Sequence, residues 1–431
     1  MQPIGKFRWT ICGLVFFATT INYLDRSVIS LLKPFLEKEF SWKETDYSHI
    51  VISFQVAYAL GLIGVGRVID RLGSKMGYAI SILVWSVAAM AHALARGTFG
   101  FGVARFALGI SEAGNFPAAI KTIAEWFPKK ERAFATGIFN SGTNIGAIAT
   151  PLTVPWIAVH MGWQWAFIIT GATGFIWLIL WFVIYEIPSK HKRLSKEEFI
   201  YIHSDDINGA DQHGDKELRV SWLTLFRLKQ TWAFVIGKFL TDPVWWFYLF
   251  WLPAFLKAQY HIEGTGFALP IALVYTMSCF GSIAGGWLPM NLIKHGWPVF
   301  KARKTSMLIY ALCVIPVVFA QWLGSINMWF AVLIIGIAAS AHQAWSANIF
   351  TTVSDMFPKR IVASVTGVGG MAGALGGILI AWLAGALFEY FKSLGKIEIG
   401  YYIMFFICGG AYIIAWLIMH MLTPTMRQAR I

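Results

Sequence analysis

The chain has 431 residues, of which 57% are apolar, 16% aromatic and only 13% charged. A soluble globular domain carries about a quarter of its residues as Asp, Glu, Lys and Arg, so the composition excludes an ordinary soluble domain and suits lipid as solvent. A net charge of +13 would suggest nucleic acid in a soluble protein, but the basic residues are distributed as a membrane requires, and no nucleic acid partner is expected.

Apolar runs of about 20 residues recur along the chain, each long enough to cross a hydrocarbon core about 30 Å thick as a helix. The first six cover about 8–32, 46–66, 76–95, 98–124, 132–159 and 163–185. The first holds Asn22, Asp25 and Arg26 with no small-residue cleavage site behind a short apolar core, so a retained helix is expected there. About 187–229 follows as the one long polar stretch, containing KHKRLSKEE and DDINGADQHGDKE. It is expected to be a solvated linker with short amphipathic helices, a regulatory segment being the competing reading. Six more runs cover about 231–256, 265–290, 303–323, 327–353, 361–390 and 400–422. The predicted fold is an all-α membrane protein of 12 transmembrane helices. Residues 1–186 and 231–431 form its two six-helix bundles, and 187–230 the cytoplasmic linker between them.

With both termini on one face, about 25 of the 35 Lys and Arg residues fall on that face, among them Arg67, Arg71, Lys75, Lys129, Lys130, Lys301, Lys304 and Arg360. The positive-inside rule makes that face cytoplasmic, as for a multi-pass protein of the cell inner membrane, expected to be a monomer. The cysteines Cys12, Cys279, Cys313 and Cys408 lie inside apolar spans without ligand spacing, so packed thiols are expected, with no disulfide, metal or cofactor.

The halves repeat. Phe127-Pro128-Lys129 returns as Phe357-Pro358-Lys359, Thr136-Gly137 as Thr366-Gly367 and Gly146 as Gly376, all at an offset of 230 residues. Such pairs imply duplicated bundles that alternate access around a central site. Glycines three or four residues apart from Gly367 to Gly385 allow close backbone approach, either as a sliding surface or as static packing.

The stretch Gly66-Arg67-Val68-Ile69-Asp70-Arg71-Leu72-Gly73-Ser74-Lys75 resembles the cytoplasmic signature loop of the major facilitator superfamily, with Ser74 where a basic residue is usual. That resemblance implies a charge network, including Asp70 and Arg71, that latches the outward-facing state. Asn22-Tyr23-Leu24-Asp25-Arg26, with Arg105 and Glu112, is similar to the anion:cation symporters of that superfamily almost end to end. Glu125-Trp126-Phe127-Pro128-Lys129, Phe139-Asn140, Phe239-Leu240 with Asp242-Pro243, and Ala341-His342-Gln343-Ala344 resemble bacterial hexuronate transporters, while the Tyr-x-Asp-Arg form of the first span is closer to D-galactonate carriers.

Asp25, Arg26, Arg105, Glu112, Lys238 and Asp242 are the ionisable residues within spans. Each costs several kcal/mol unless it faces the bundle interior and is paired or functional. An Arg fork holds a carboxylate by two parallel hydrogen bonds, so Arg26 and then Arg105 are the candidates for an anionic substrate. Glu112 lies among Ala, Gly, Ile and Phe, where burial disfavours a charged carboxylate, and is the candidate proton carrier with Asp25, a permanent ion pair being the alternative for Glu112. Arg105 and Glu112, seven residues or two helical turns apart, are expected to line one cavity, Tyr23 and Tyr58 to complete its polar wall, and Asp25 to share the environment of the adjacent Arg26 cation. Asn140, Thr143, His342, Gln343 and Ser346 offer donors and acceptors to sugar hydroxyls, and Trp246, from the run Trp245-Trp246-Phe247-Tyr248, offers a ring face. Lys238 and Asp242, four residues apart, are expected to pair as a structural or gating element.

The residues together predict a proton-coupled symporter importing a sugar-acid anion, a hexuronate first. An exchanger or efflux carrier for another organic anion without proton coupling, and a membrane receptor, stay open. An enzyme is not expected, because no nucleophile-base pair, phosphate-binding glycine loop or metal-ligand set occurs at useful spacing.

Overall fold

The structure is a computed structural model that describes residues 5–42, 44–205, 220–260 and 268–429, and every regular element among them is helical. In chain order the first six long or paired elements are α1 Phe7–Phe40, α2 Glu44–Ala91, α3 Gly97–Glu112, α4 Asn115–Trp126, α5 Lys129–Met161 and α6 Trp163–Ile184. Two short helices follow, α7 Lys196–Ile202 and α8 Trp222–Phe226. The remainder are α9 Lys229–Tyr260, α10 Ala268–Lys294, α11 Val299–Val314, α12 Ala320–Ile326, α13 Met328–Met356, α14 Val362–Ser393 and α15 Ile397–Leu422.

These elements make the twelve crossings of the predicted fold. Helix α2 is two crossings joined at Gly73, whose φ of 76° is open to glycine and costly for other residues. The fourth crossing is interrupted between α3 and α4, where the Gly114 amide donates to Ser111 O at 3.2 Å, three residues back rather than four. Gly114 lies so close to Ser81 of α2 that a Cβ would collide with its Oγ. The ninth crossing is α11 and α12 with a 3-10 turn over Ile315–Phe319. Among the described residues, seven stretches are long and apolar enough to cross a membrane by themselves, one of them, His49–Leu94, being the double crossing. Helices α1, α3, α5 and α9 are not among the seven, and they carry most of the polar residues singled out above.

Helix α1 outruns its expected end by two turns. Leu32 and Leu36 continue its buried stripe, packing with Trp42, Phe101 and Trp163, while Lys33 and Glu37 pair at 3.2 Å on the other face. The extension is amphipathic rather than uniformly apolar, and a hydropathy window stops short of it.

The chain divides into two compact units. Unit 1 is Met1–Arg219 with Phe357–Met371, and unit 2 is Val220–Met356 with Ala372–Ile431. In unit 1, α3 lies against α2 at Gly109, where a Cβ would stand 2.5 Å from Phe54 O. Helix α5 lies against α1 at Gly146, where a Cβ would stand 2.6 Å from Thr20 O. Helix α3 is thereby held against α2, and α5 against α1.

The described part of the central loop is less solvated than a free linker. Glu198 of α7 is buried, and its carboxylate accepts the backbone N–H groups of Phe7 and Arg8, each at 3.1 Å, together with Arg8 Nη1 at 3.0 Å. Arg8 also donates to Glu131 at 2.8 Å, and the Tyr201 hydroxyl donates to the same carboxylate at 2.7 Å. A carboxylate on the first free amides of a helix meets both their hydrogen-bonding need and the helix dipole. Residues 206–219, which hold the acidic half of the loop, lie outside the described residues.

The repeat is visible in side chains. Arg303 Nε donates to Asp355 at 3.1 Å in unit 2. Glu125, the residue of unit 1 at the same offset of 230, instead accepts from the Ser74 and Tyr185 hydroxyls, each at 2.8 Å. Where the signature loop has Ser74 in place of a basic residue, neutral donors hold the carboxylate.

Candidate functional site

The charged residues of the amino-terminal spans come together inside unit 1. Arg26 Nε donates to Glu112 Oε2 at 3.0 Å, and the guanidinium also reaches Asn22 Oδ1 at 3.5 Å. Its carbon lies 4.8 Å from the ring centre of Tyr23, 5.1 Å from Phe54 and 4.6 Å from Tyr58, so three aromatic faces surround the cation. Arg105 donates to Arg26 O at 3.1 Å and lies 5.4 Å from the Phe54 ring centre. Glu112 is fully buried and its second oxygen, Oε1, has no hydrogen-bond partner. The pair is thus half satisfied: one internal carboxylate occupies one edge of the guanidinium.

The Glu112 carboxylate pairs with Arg26, 86 residues away in sequence, while Arg105, two turns before Glu112 on α3, donates to the Arg26 backbone. One expectation changes in detail. Asp25 does not share the environment of its neighbour Arg26. Successive residues on a helix point about 100° apart, and Asp25 faces Thr170 of α6, with Glu112 and Arg105 as the charges acting on it. The Thr170 hydroxyl donates to Phe167 O at 3.4 Å, and among the described residues neither Asp25 oxygen has a partner at hydrogen-bond distance, Thr170 being the donor turned toward them.

Phe54, which contacts both arginines, is the residue sequence reasoning missed. It stands four positions before Tyr58, on the same face of α2, and that spacing was the available signal. On α5, Asn140 and Thr143 are buried, with Thr143 Oγ1 donating to Asn140 O at 2.8 Å. Asn144, one turn beyond Asn140, is also buried, and both of its amide atoms lack a partner.

Unit 2 gathers a second polar cluster. Lys238 and Asp242 pair at 2.6 Å, as their spacing predicts, and Lys238 Nζ lies 4.0 Å from the Phe350 ring centre. His342 stacks on Trp245 at 5.2 Å with the ring planes 10° apart. Its Nδ1 bonds the Tyr412 hydroxyl, which donates to Thr241 O at 3.2 Å. Gln343 and Ser346 are buried on the same helix as His342. Of the aromatic run, Trp245 meets the histidine, whereas Trp246 packs against α14, where a Cβ on Gly377 would meet its ring at 2.6 Å. Phe247 and Tyr248 belong to the apolar core.

The signature loop makes its own contacts. Asp70 accepts from Lys121 Nζ at 2.9 Å, from the Ser364 backbone N–H at 2.7 Å and hydroxyl at 2.6 Å, and from the Ala363 N–H at 3.3 Å. It caps the first turn of α14, the part of that helix that belongs to unit 1. Arg71, the next residue, points elsewhere and is exposed. Lys75 donates to Glu186 at 2.8 Å, and this bond holds the Glu186 carboxyl below its usual range.

Comparison with known proteins agrees with this architecture. The model of the Major Facilitator Superfamily matches residues 15–381. The chain is 35% identical to the hexuronate transporter of Escherichia coli (strain K12) over 391 residues, 90% of this chain and 89% of that protein. It is 35% identical to the galacturonate transporter of Dickeya chrysanthemi over 68% of this chain and 85% of that one. With the D-galactonate transporter of Escherichia coli O6:H1 it shares 29% over 89% and 90% of the two chains. Among solved structures, the proton:xylose symporter XylE superposes with a TM-score of 0.74 at 16% identity, covering 95% and 94% of the two chains, which speaks for the fold. The chain belongs to the Major Facilitator Superfamily and is a membrane transporter rather than an enzyme.

Proposed function

We propose that the protein is a proton-coupled symporter that imports a sugar-acid anion, a hexuronate first. It acts as a monomer in the cell inner membrane with both termini cytoplasmic, by alternating access between residues 1–186 and 231–431. The observation that carries this reading is the Arg26–Glu112 pair, a cation in an aromatic enclosure whose one internal carboxylate is fully buried. A proton on Glu112 removes the competing charge and leaves the fork to a visiting carboxylate; loss of the proton restores the internal pair and expels the anion. Arg105 holds the backbone of Arg26 and adds a second positive charge, and Asp25 is the second proton site. The relatives named for hexuronate and galacturonate transport support the substrate class.

The remaining roles follow the chemistry of the side chains. Tyr23 and Tyr58 orient the fork, Asn140, Thr143, Gln343, Ser346 and His342 take sugar hydroxyls, and Trp246 offers a ring face. Lys238 with Asp242, and Asp70 with its neighbour Arg71, act as gating elements, Asp70 by leaving the N-terminus of α14. The test is uptake of D-galacturonate or D-glucuronate into proteoliposomes with a pH dye outside. Uptake accompanied by external alkalinisation is expected, and uptake without it would remove the proton from the mechanism.

A further inference from the structure

His92 is a buried titratable group with no part in the mechanism above. It opens the 3-10 turn that follows α2, and it is fully buried between Phe101 and Phe167, stacked on the latter at 4.9 Å. Its Nδ1 faces the carbonyls of Ala88 at 2.7 Å and Ala89 at 3.2 Å and so carries the proton. Nε2 is therefore a lone-pair acceptor, and it has no partner. A buried acceptor left without a donor is destabilising, so a donor is called for.

Thr170 stands three residues beyond Phe167, on the same face of α6, and Thr170 is the residue that Asp25 faces. Arg105 acts on both Asp25 and His92, and its Nε likewise lacks a partner. Among the described residues, Asp25 Oδ1 and Oδ2, Arg105 Nε and His92 Nε2 are thus four buried polar atoms without a hydrogen-bond partner, carried by α1, α3 and the turn that ends α2. The charged or titratable groups around them are Arg105 and Glu112 from α3, Arg26 from α1 and Tyr47 from α2, while α6 has none.

We propose that Asp25, His92, Arg105 and Thr170 enclose a buried hydration site in which the protonated Asp25 carboxyl donates to His92 Nε2 through water. His92 is then a positioning residue that stabilises the proton-loaded state of Asp25. This rests on the proton-coupled reading above and extends it to a residue outside the anion site. The polarity is specific. A neutral imidazole whose Nδ1–H is committed to backbone carbonyls can only accept, so it favours the acid over the carboxylate, whereas Arg105 favours the carboxylate.

The test compares wild type, His92→Phe and His92→Gln in proteoliposomes. His92→Phe keeps the ring that stacks on Phe167 but loses the acceptor; His92→Gln keeps an acceptor oxygen. Substrate exchange without a proton gradient reports folding and the anion site, and proton-driven accumulation against external pH reports the load. Loss of one hydrogen bond is expected to move the pH midpoint of accumulation lower by about 0.7 unit in His92→Phe, with exchange intact and His92→Gln near wild type. An unmoved midpoint in His92→Phe with intact exchange overturns the proposal. Accumulation that ignores pH in wild type would sink the proton-coupled reading instead. Should His92→Phe fail to fold, the infrared carboxyl band that Asp25→Asn abolishes serves in its place: a wild-type band at the frequency of a hydrogen-bonded carboxyl supports the bond, and a band at the frequency of a free carboxyl refutes it.

Discussion

Glu112→Gln separates coupling from binding. The substitution keeps the shape of the side chain and its hydrogen bond while removing the charge that holds Arg26 Nε at 3.0 Å. A hydrogen bond to a charged group contributes about 1.5–3 kcal/mol, and each 1.4 kcal/mol is tenfold in affinity. At alkaline pH the wild-type fork is engaged by Glu112, so the variant should bind a sugar acid about ten- to a hundredfold more tightly there, and nearly independently of pH. Since no proton is needed to free the fork, the variant should exchange labelled hexuronate between the two sides of a vesicle yet fail to accumulate it against its gradient. Counterflow and proton-driven uptake on the same proteoliposome preparation measure both properties. Wild-type accumulation by Glu112→Gln would remove Glu112 from the coupling.

Other substitutions probe separate parts of the account. Arg26→Lys keeps the charge but loses the fork and the flat face packed among Tyr23, Phe54 and Tyr58, so hexuronate affinity should fall at least tenfold; near-normal uptake would exclude two-point recognition. Gly109→Ala places a methyl 2.5 Å from Phe54 O and should cost about 1–3 kcal/mol through a shifted α2, seen as lower thermal stability together with weaker binding, because Phe54 carries the site. Glu198→Ala leaves two α1 amides without their acceptor and Arg8 with Glu131 as its one remaining carboxylate, and should lower the melting temperature while leaving substrate affinity unchanged.

What the sequence made legible follows from what lipid demands of it. Spans such as Trp163–Ile184 and Ile397–Leu422 are uniform apolar runs, and no local feature competes with that signal. The Lys238–Asp242 pair was legible as well, since spacing along one helix fixes it. The Arg26–Glu112 pair was legible only as two unpaired costs in need of a partner, because distance in sequence says nothing of who answers whom. Asp25 shows the converse: adjacency to Arg26 suggested a shared environment, and the 100° step of the helix turned it toward α6. The docking of α7 by Glu198 was hidden for another reason. Its segment is rich in Lys and Glu, the composition of a solvated face, and the burial of one of those acids depends on where the first amides of α1 lie.

The central claim is that a proton and an anion enter the site together. Titrating purified protein with D-galacturonate in lightly buffered solution with a pH indicator measures it without a membrane or a gradient. Net proton uptake on binding at neutral to alkaline pH, absent in Glu112→Gln, is the outcome expected; saturable binding with no proton taken up at any pH would contradict the mechanism.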